Sequence, residues 1–163
     1  MTNGRWVEIE DDVAAACRHL ARAVEIFRTQ DLTGADLSSY TAAMGFLHAM
    51  QAGYTALESA LARILRLLDE APPSGPDWHA DLLKRAARAI PSLRPPILSP
   101  ELIVLADEAR RFRHVAMKSY DSFIPENATR AVAAAERLAA TLPDEIAHFR
   151  QTIDPAPPPH QPP

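Results

Sequence analysis

The chain has 163 residues, 47% of them hydrophobic and only 6% aromatic, with a formal net charge of −4. That length supports one hydrophobic core and one domain. The acidic balance excludes a general nucleic-acid coat protein and leaves room for a local basic site on an acidic body. A single cysteine, Cys17, excludes an internal disulfide framework and fits a reducing compartment. No apolar run reaches the about 18 residues of a membrane span. The N-terminus lacks the apolar core of a signal peptide, so a cytoplasmic location is expected.

Val13, Ala14, Cys17, Leu20, Ala21, Val24 and Phe27 recur at helical spacing and predict a first helix from Val7 to Thr29. Glu8, Glu10, Asp11 and Asp12 fall in its first turns, where negative charge suits the helix dipole. After a connection over 30–36, a long second helix is predicted from Leu37 to Asp69, with a stripe through Ala43, Phe46, Leu47, Met50, Tyr54, Leu57, Leu61, Ile64 and Leu68. Gly45 and Gly53 interrupt it at about 1 kcal/mol each relative to Ala and let another helix approach closely. Glu58 lies on its apolar side, either paired with a cation of the fourth helix or solvated.

Pro72-Pro73-Ser74-Gly75-Pro76 stops this helix. A short third helix follows from Asp77 to Ala89, with Asp77 as N-cap. The loop Pro91-Ser92-Leu93-Arg94-Pro95-Pro96 reads as extended and stiff. Ser99 as N-cap and Pro100 at the first helical position open a fourth helix, Pro100 to Ser122. Ile124-Pro125-Glu126-Asn127 turns the chain into a fifth helix, Glu126 to Gln151, which Pro143 should break or kink near Thr141. Residues 154–163 read as a disordered, proline-rich tail, leaving one domain over 1–153. The fold class is all-α, an antiparallel bundle of about five helices.

The fourth helix carries Glu108-Ala109-Arg110-Arg111-Phe112-Arg113-His114-Val115-Ala116-Met117-Lys118-Ser119-Tyr120-Asp121. Arg110, Arg111, Arg113, His114 and Lys118 are five potential cations within nine residues. At about 100° per residue, Arg113 and Tyr120 share one face, and Arg110, His114 and Lys118 form an adjacent stripe. By residue statistics alone the stretch reads as a solvated face that offsets the helix dipole. The same groups are also the set that grips a phosphodiester.

Arg113, His114 and Tyr120 resemble the motif of the HEPN-domain proteins, most closely the HepT-like branch. The resemblance extends to Tyr54-Thr55-Ala56-Leu57-Glu58 and to Asp77-Trp78-His79-Ala80-Asp81-Leu82-Leu83, and so covers most of the chain from Phe46 to Phe149. Lys118 departs from it, standing where the family has a second, catalytic histidine. The resemblance implies a homodimer whose facing motifs cleave RNA without a metal, as the toxin of a toxin–antitoxin pair. It also implies an MNT-type nucleotidyltransferase antitoxin as partner, with Tyr120 as the acceptor of its AMP modification. Arg113 is then the phosphate-binding residue, because a guanidinium is always charged and offers two parallel N–H donors. Histidine suits the base role, since its pKa lies near neutrality, and His114 is one turn from Lys118. An ordinary lysine titrates near 10.4, so Lys118 does not inherit that role without burial or close cations. The candidate catalytic residues are thus Arg113, His114, Lys118 and Tyr120, with Arg110 and Arg111 binding substrate. The departure at Lys118 points to a weakened or absent nuclease. The alternative is a non-catalytic module that dimerises and binds RNA or a nucleotidyltransferase.

Other chemistries find no motif. There is no Cys/His cluster or H-E-x-x-H for zinc, no glycine-rich phosphate loop and no Gly-x-Ser-x-Gly elbow, and no cofactor is expected. His48 and His79 have no partner at ligand spacing. Trp6 and Trp78 read as packing or interface residues.

Overall fold

The computed structural model describes residues 2–118 and 123–155. Five helices are present among them: α1 Thr2–Thr29, α2 Leu37–Leu67, α3 Trp78–Ala87, α4 Pro100–Lys118 and α5 Thr129–Ile153, the last preceded by a 3-10 turn, Pro125–Ala128. Helix α1 packs along α2 and α5, α4 packs on α5 and α2, and α3 lies against α4 and α2. Ion pairs record the antiparallel directions. Arg63, late in α2, reaches Glu8 and Asp12, early in α1. Arg28 at the end of α1 meets Glu136 in α5, and Arg150 near the end of α5 meets Glu10. The all-α bundle read from the sequence is the fold found.

Helix α1 starts five residues earlier than its apolar spacing predicted. Trp6 and Ile9 are fully buried, and burial of two large side chains holds the extra turn. Trp6 donates from Nε1 to Asp154 Oδ2 at 3.1 Å, and the Arg150 guanidinium lies 5.4 Å from its ring. Glu8, Glu10 and Asp12 are therefore beyond the first turn, and they pair across the bundle instead of with the dipole. The same contact ties Asp154 to the body, so the tail does not begin there; residues 156–163 lie outside the described residues. At the α1–α2 seam, a Cβ on Gly53 would stand 2.7 Å from Leu20 Cγ and 3.2 Å from Leu20 N. Only a glycine admits that approach. A Cβ on Gly45 would meet Ile26 Cδ1 at an ordinary 3.6 Å.

Helix α2 is capped at Asp36, whose Oδ1 accepts from Ser39 N at 3.0 Å. It ends two residues before the predicted Asp69, which adopts a left-handed φ of 58°. Asp69 N then bonds Arg66 O and Glu70 N bonds Leu65 O, the pair of bonds that closes a helix by a Schellman turn. This turn aims Glu70 at Arg94.

The loop after α3 is not extended as predicted. Ile90 and Arg94 pair in a bridge, Ser92 has a φ of 65°, and the chain wraps round the Arg94 side chain, which is 2% exposed. Arg94 grips Glu70 with Nε and Nη2, and gives its remaining donors to the carbonyls of Arg85, Arg88 and Pro95. One guanidinium thus satisfies carbonyls that the end of α3 leaves open. At the start of α3, Asp77 occupies the N-cap position with φ −99° and ψ 13° and makes no side-chain cap bond; capping needs extended backbone there.

Ser99 opens α4 as predicted. Its Oγ accepts from Leu102 N at 3.3 Å and donates to Glu145 Oε2 at 3.0 Å. The predicted end of this helix at Ser122 lies outside the described residues. Helix α5 runs unbroken through Pro143, contrary to the predicted break. Leu138, Leu142, Ile146 and Phe149 bury one stripe on both sides of the proline. Pro143 itself is exposed, to one side of that stripe. Packing of both halves outweighs the one lost hydrogen bond. No helix among the described residues is long and apolar enough to cross a membrane.

Candidate active site

Helix α4 is anchored by Leu102, Ala106 and Ala109, all buried. Phe112 continues that stripe and packs edge-on against Phe46 of α2, with ring centroids 5.7 Å apart. Once this face is turned inward, Arg113 points toward α2 and α3. Arg110, His114 and Lys118 lie beside it. These four side chains and His79 of α3 line one cleft of about 360 Å³. His114 and Lys118 are exposed; Arg110 and Arg113 are half-buried.

Arg111 is not in this group. It lines the apolar groove on the other side of α4, with Phe112, Val115 and Ile124, and its Nε pairs with Asp107 Oδ2 at 2.8 Å. Arg110 also pairs with Asp107, through Oδ1 at 2.8 Å, but stays on the cleft side. Consecutive residues on a helix differ by about 100°, so the two arginines leave the helix in different directions. Tyr120 lies outside the described residues.

Beneath the cleft is a polar cluster in an otherwise apolar interior. Glu58, 4% exposed, reaches His79 Nδ1 through Oε1 and accepts from Arg113 Nη1 at Oε2, 3.4 Å away. Arg113 Nη1 is also 3.2 Å from His79 Nδ1, and the Arg113 guanidinium lies 6.0 Å from the Tyr54 ring. Trp78 stacks on His79 with ring centroids 3.7 Å apart. Tyr54 and Glu58 come from one face of α2, four residues apart, so α2 supplies the carboxylate, α3 the imidazole and α4 the guanidinium.

The electrostatics follow from burial. Desolvation pushes the Glu58 carboxyl above its ordinary value, although the contacts to His79 and Arg113 pull it down. The Tyr54 phenol is raised strongly, first by burial and then by Glu58 beside it. Among the described residues, Tyr54 Oη and Arg113 Nε are buried without a hydrogen-bond partner. Two proton placements close the Glu58–His79 contact. Either Nδ1–H donates to an ionised Glu58, or a protonated Glu58 donates to Nδ1. The first leaves Nε2 free to accept a proton; the second makes Nε2 a donor. Next to a fixed guanidinium, such a pair can give or take one proton.

The sequence left Glu58 either solvated or paired with a cation of the fourth helix; it is buried, and the cation it meets is Arg113. It left His79 without a partner, yet His79 is central to the cluster. The signal available was the Asp77-Trp78-His79 stretch, whose placement relative to α4 is a tertiary fact.

The sequence profile of the family described as HepT-like protein matches residues 45–153, a span that includes Glu58, His79, Arg113, His114 and Lys118. Comparison with curated proteins and with solved structures finds no match.

Proposed function

From the premise that the chain belongs to the HepT-like family, we propose that it is the toxin-like component of a prokaryotic toxin–antitoxin pair and acts on RNA phosphodiesters without a metal. The observation that carries this reading is the cleft of Arg110, Arg113, His114, Lys118 and His79, with Arg113 held from below by Glu58. A phosphate entering the cleft meets several N–H donors at once. Arg113 is the group suited to bind two of its oxygens, and it is already oriented. A histidine of the cleft takes the proton of the ribose 2′-hydroxyl, which attacks the neighbouring phosphorus. Lys118, exposed, adds a point charge for phosphate.

The active form in this reading is a homodimer whose two clefts face one another. The partner is an MNT-type nucleotidyltransferase acting on Tyr120. A second reading, a non-catalytic module that binds RNA or the nucleotidyltransferase, is favoured by one observation. The position where the resemblance expects a histidine holds Lys118, and this lysine lies in the open rather than in the burial that would make it a base.

The test uses purified full chain and single-stranded RNA with chelator present. Nuclease action predicts fragments ending in 2′,3′-cyclic phosphate, abolished by Arg113→Ala and strengthened by Lys118→His. Binding without cleavage by either the wild type or Lys118→His supports the module and sinks the nuclease.

A further inference from the structure

The geometry points to His79, on the short helix α3, as the general base of the cleft, held in place by Glu58; this rests on the nuclease reading above. Two contacts fix the imidazole in the tautomer this needs, Trp78 stacked at 3.7 Å and Glu58 accepting from Nδ1–H; Arg113 Nη1, 3.2 Å from the same nitrogen, is then a neighbouring cation and not a donor to it. With Nδ1 engaged on the protein side, Nε2 is the ring nitrogen left for a substrate. It has no hydrogen-bond partner among the described residues. The side chain is 31% exposed and lines the cleft, so it is reachable yet oriented. His114, by contrast, is exposed on α4, and among the described residues no hydrogen bond, ion pair or ring contact orients its ring.

The spacing suits the chemistry. Arg113 is the phosphate anchor, and its Nη1 stands one hydrogen-bond length from the His79 ring. A phosphodiester on Arg113 therefore brings its neighbouring ribose toward His79. In the step, Nε2 takes the 2′-hydroxyl proton, the 2′-oxygen bonds to phosphorus, and the bond from phosphorus to the 5′-oxygen breaks. Water in the cleft protonates the departing 5′-oxygen, and the hydroxide so formed is neutralised when His79 releases its proton. A cation beside the ring opposes an imidazolium. The Glu58 carboxylate on Nδ1 offsets that, and it fixes the tautomer that leaves Nε2 unprotonated. Glu58 is thus a positioning residue, and His79 the catalytic one.

The decisive variant is His79→Asn. Its amide keeps a polar atom near Nδ1 for Glu58 but removes Nε2, so the fold is kept; unchanged thermal unfolding verifies this. Cleavage of an RNA oligonucleotide is followed beside the affinity for the same oligonucleotide with 2′-O-methyl riboses, which is bound and not cut. The expected result is a fall in the cleavage rate by about 10²–10⁴-fold, deeper than that of His114→Asn, with affinity for the 2′-O-methyl strand unchanged within about twofold. Glu58→Gln lowers the rate in the same sense, again with affinity kept. Wild-type cleavage with an undiminished His79→Asn, or a larger loss from His114→Asn, overturns the assignment and leaves the nuclease reading standing. A wild type and a Lys118→His variant that both bind RNA and never cut it overturn both.

Discussion

Replacing Arg113 by alanine tests whether Glu58 and Arg113 act as one buried unit. Glu58 is 4% exposed and Arg113 18%, and the substitution leaves the carboxylate with His79 as its remaining polar contact. Breaking a buried pair by removing one member costs about 3–5 kcal/mol, because the survivor is buried and uncompensated. The expectation at mildly alkaline pH is the lower end, about 3 kcal/mol, since His79 still touches the carboxyl. In a Glu58→Gln background the same change removes only a weak hydrogen bond and contact over the Tyr54 ring, about 1 kcal/mol. The coupling is then about 2 kcal/mol. Its pH dependence has a definite sign. Burial raises the folded-state pKa of Glu58 above its ordinary 4.5. The stability this group contributes is fully present below that value and is lost as pH rises through the folded pKa. Arg113 pulls the pKa down, so its removal enlarges the loss, and the Arg113→Ala penalty should grow from mildly acidic to mildly alkaline pH. Urea denaturation of the wild type, both single variants and the double variant at the two pH values gives the cycle. Additive penalties, or an Arg113→Ala cost that shrinks as pH rises, would refute the reasoning.

Two further predictions concern the scaffold that holds the cleft. Gly53→Ala should destabilise by about 1–2 kcal/mol in the same assay, because overpacking against fully buried Leu20 costs more than the gain in helix propensity. Gly45→Ala, with room at 3.6 Å, should instead stabilise by up to about 1 kcal/mol; equal effects of the two would discredit the close approach of α1 and α2. Glu70, whose pKa is lowered chiefly by its hydrogen bonds to Arg94, contributes stability that is present above its ordinary 4.5 and is lost as pH falls through the lowered folded value. Glu70→Gln should therefore narrow the stability difference between neutral and strongly acidic buffer, and an unchanged acid-unfolding curve would count against the Arg94 bracket.

The helices, their order and the buried stripe of α2 were legible in the sequence because apolar periodicity and capping are local. Ala43 to Leu68 and the Ser99-Pro100 start needed no knowledge of the rest of the chain, whereas in α1 Val13, Leu20 and Val24 are buried but Ala14 and Ala21 are exposed, with Ala16 and Ala23 buried instead. The same holds for Arg110, Arg113, His114 and Lys118 sharing one side of α4, a consequence of helical pitch. What only the tertiary structure decided lies between elements. Glu58 meets His79 across 21 residues and Arg113 across 55, while His79 meets Arg113 across 34. No spacing rule encodes these meetings. They follow from how α3 is tilted against α2 and α4, which the Arg94–Glu70 bracket and the left-handed Asp69 help set. Pro143 was absorbed into α5 by packing as well. A single residue's preference is worth about one hydrogen bond, whereas the packing of a whole helix face is worth many.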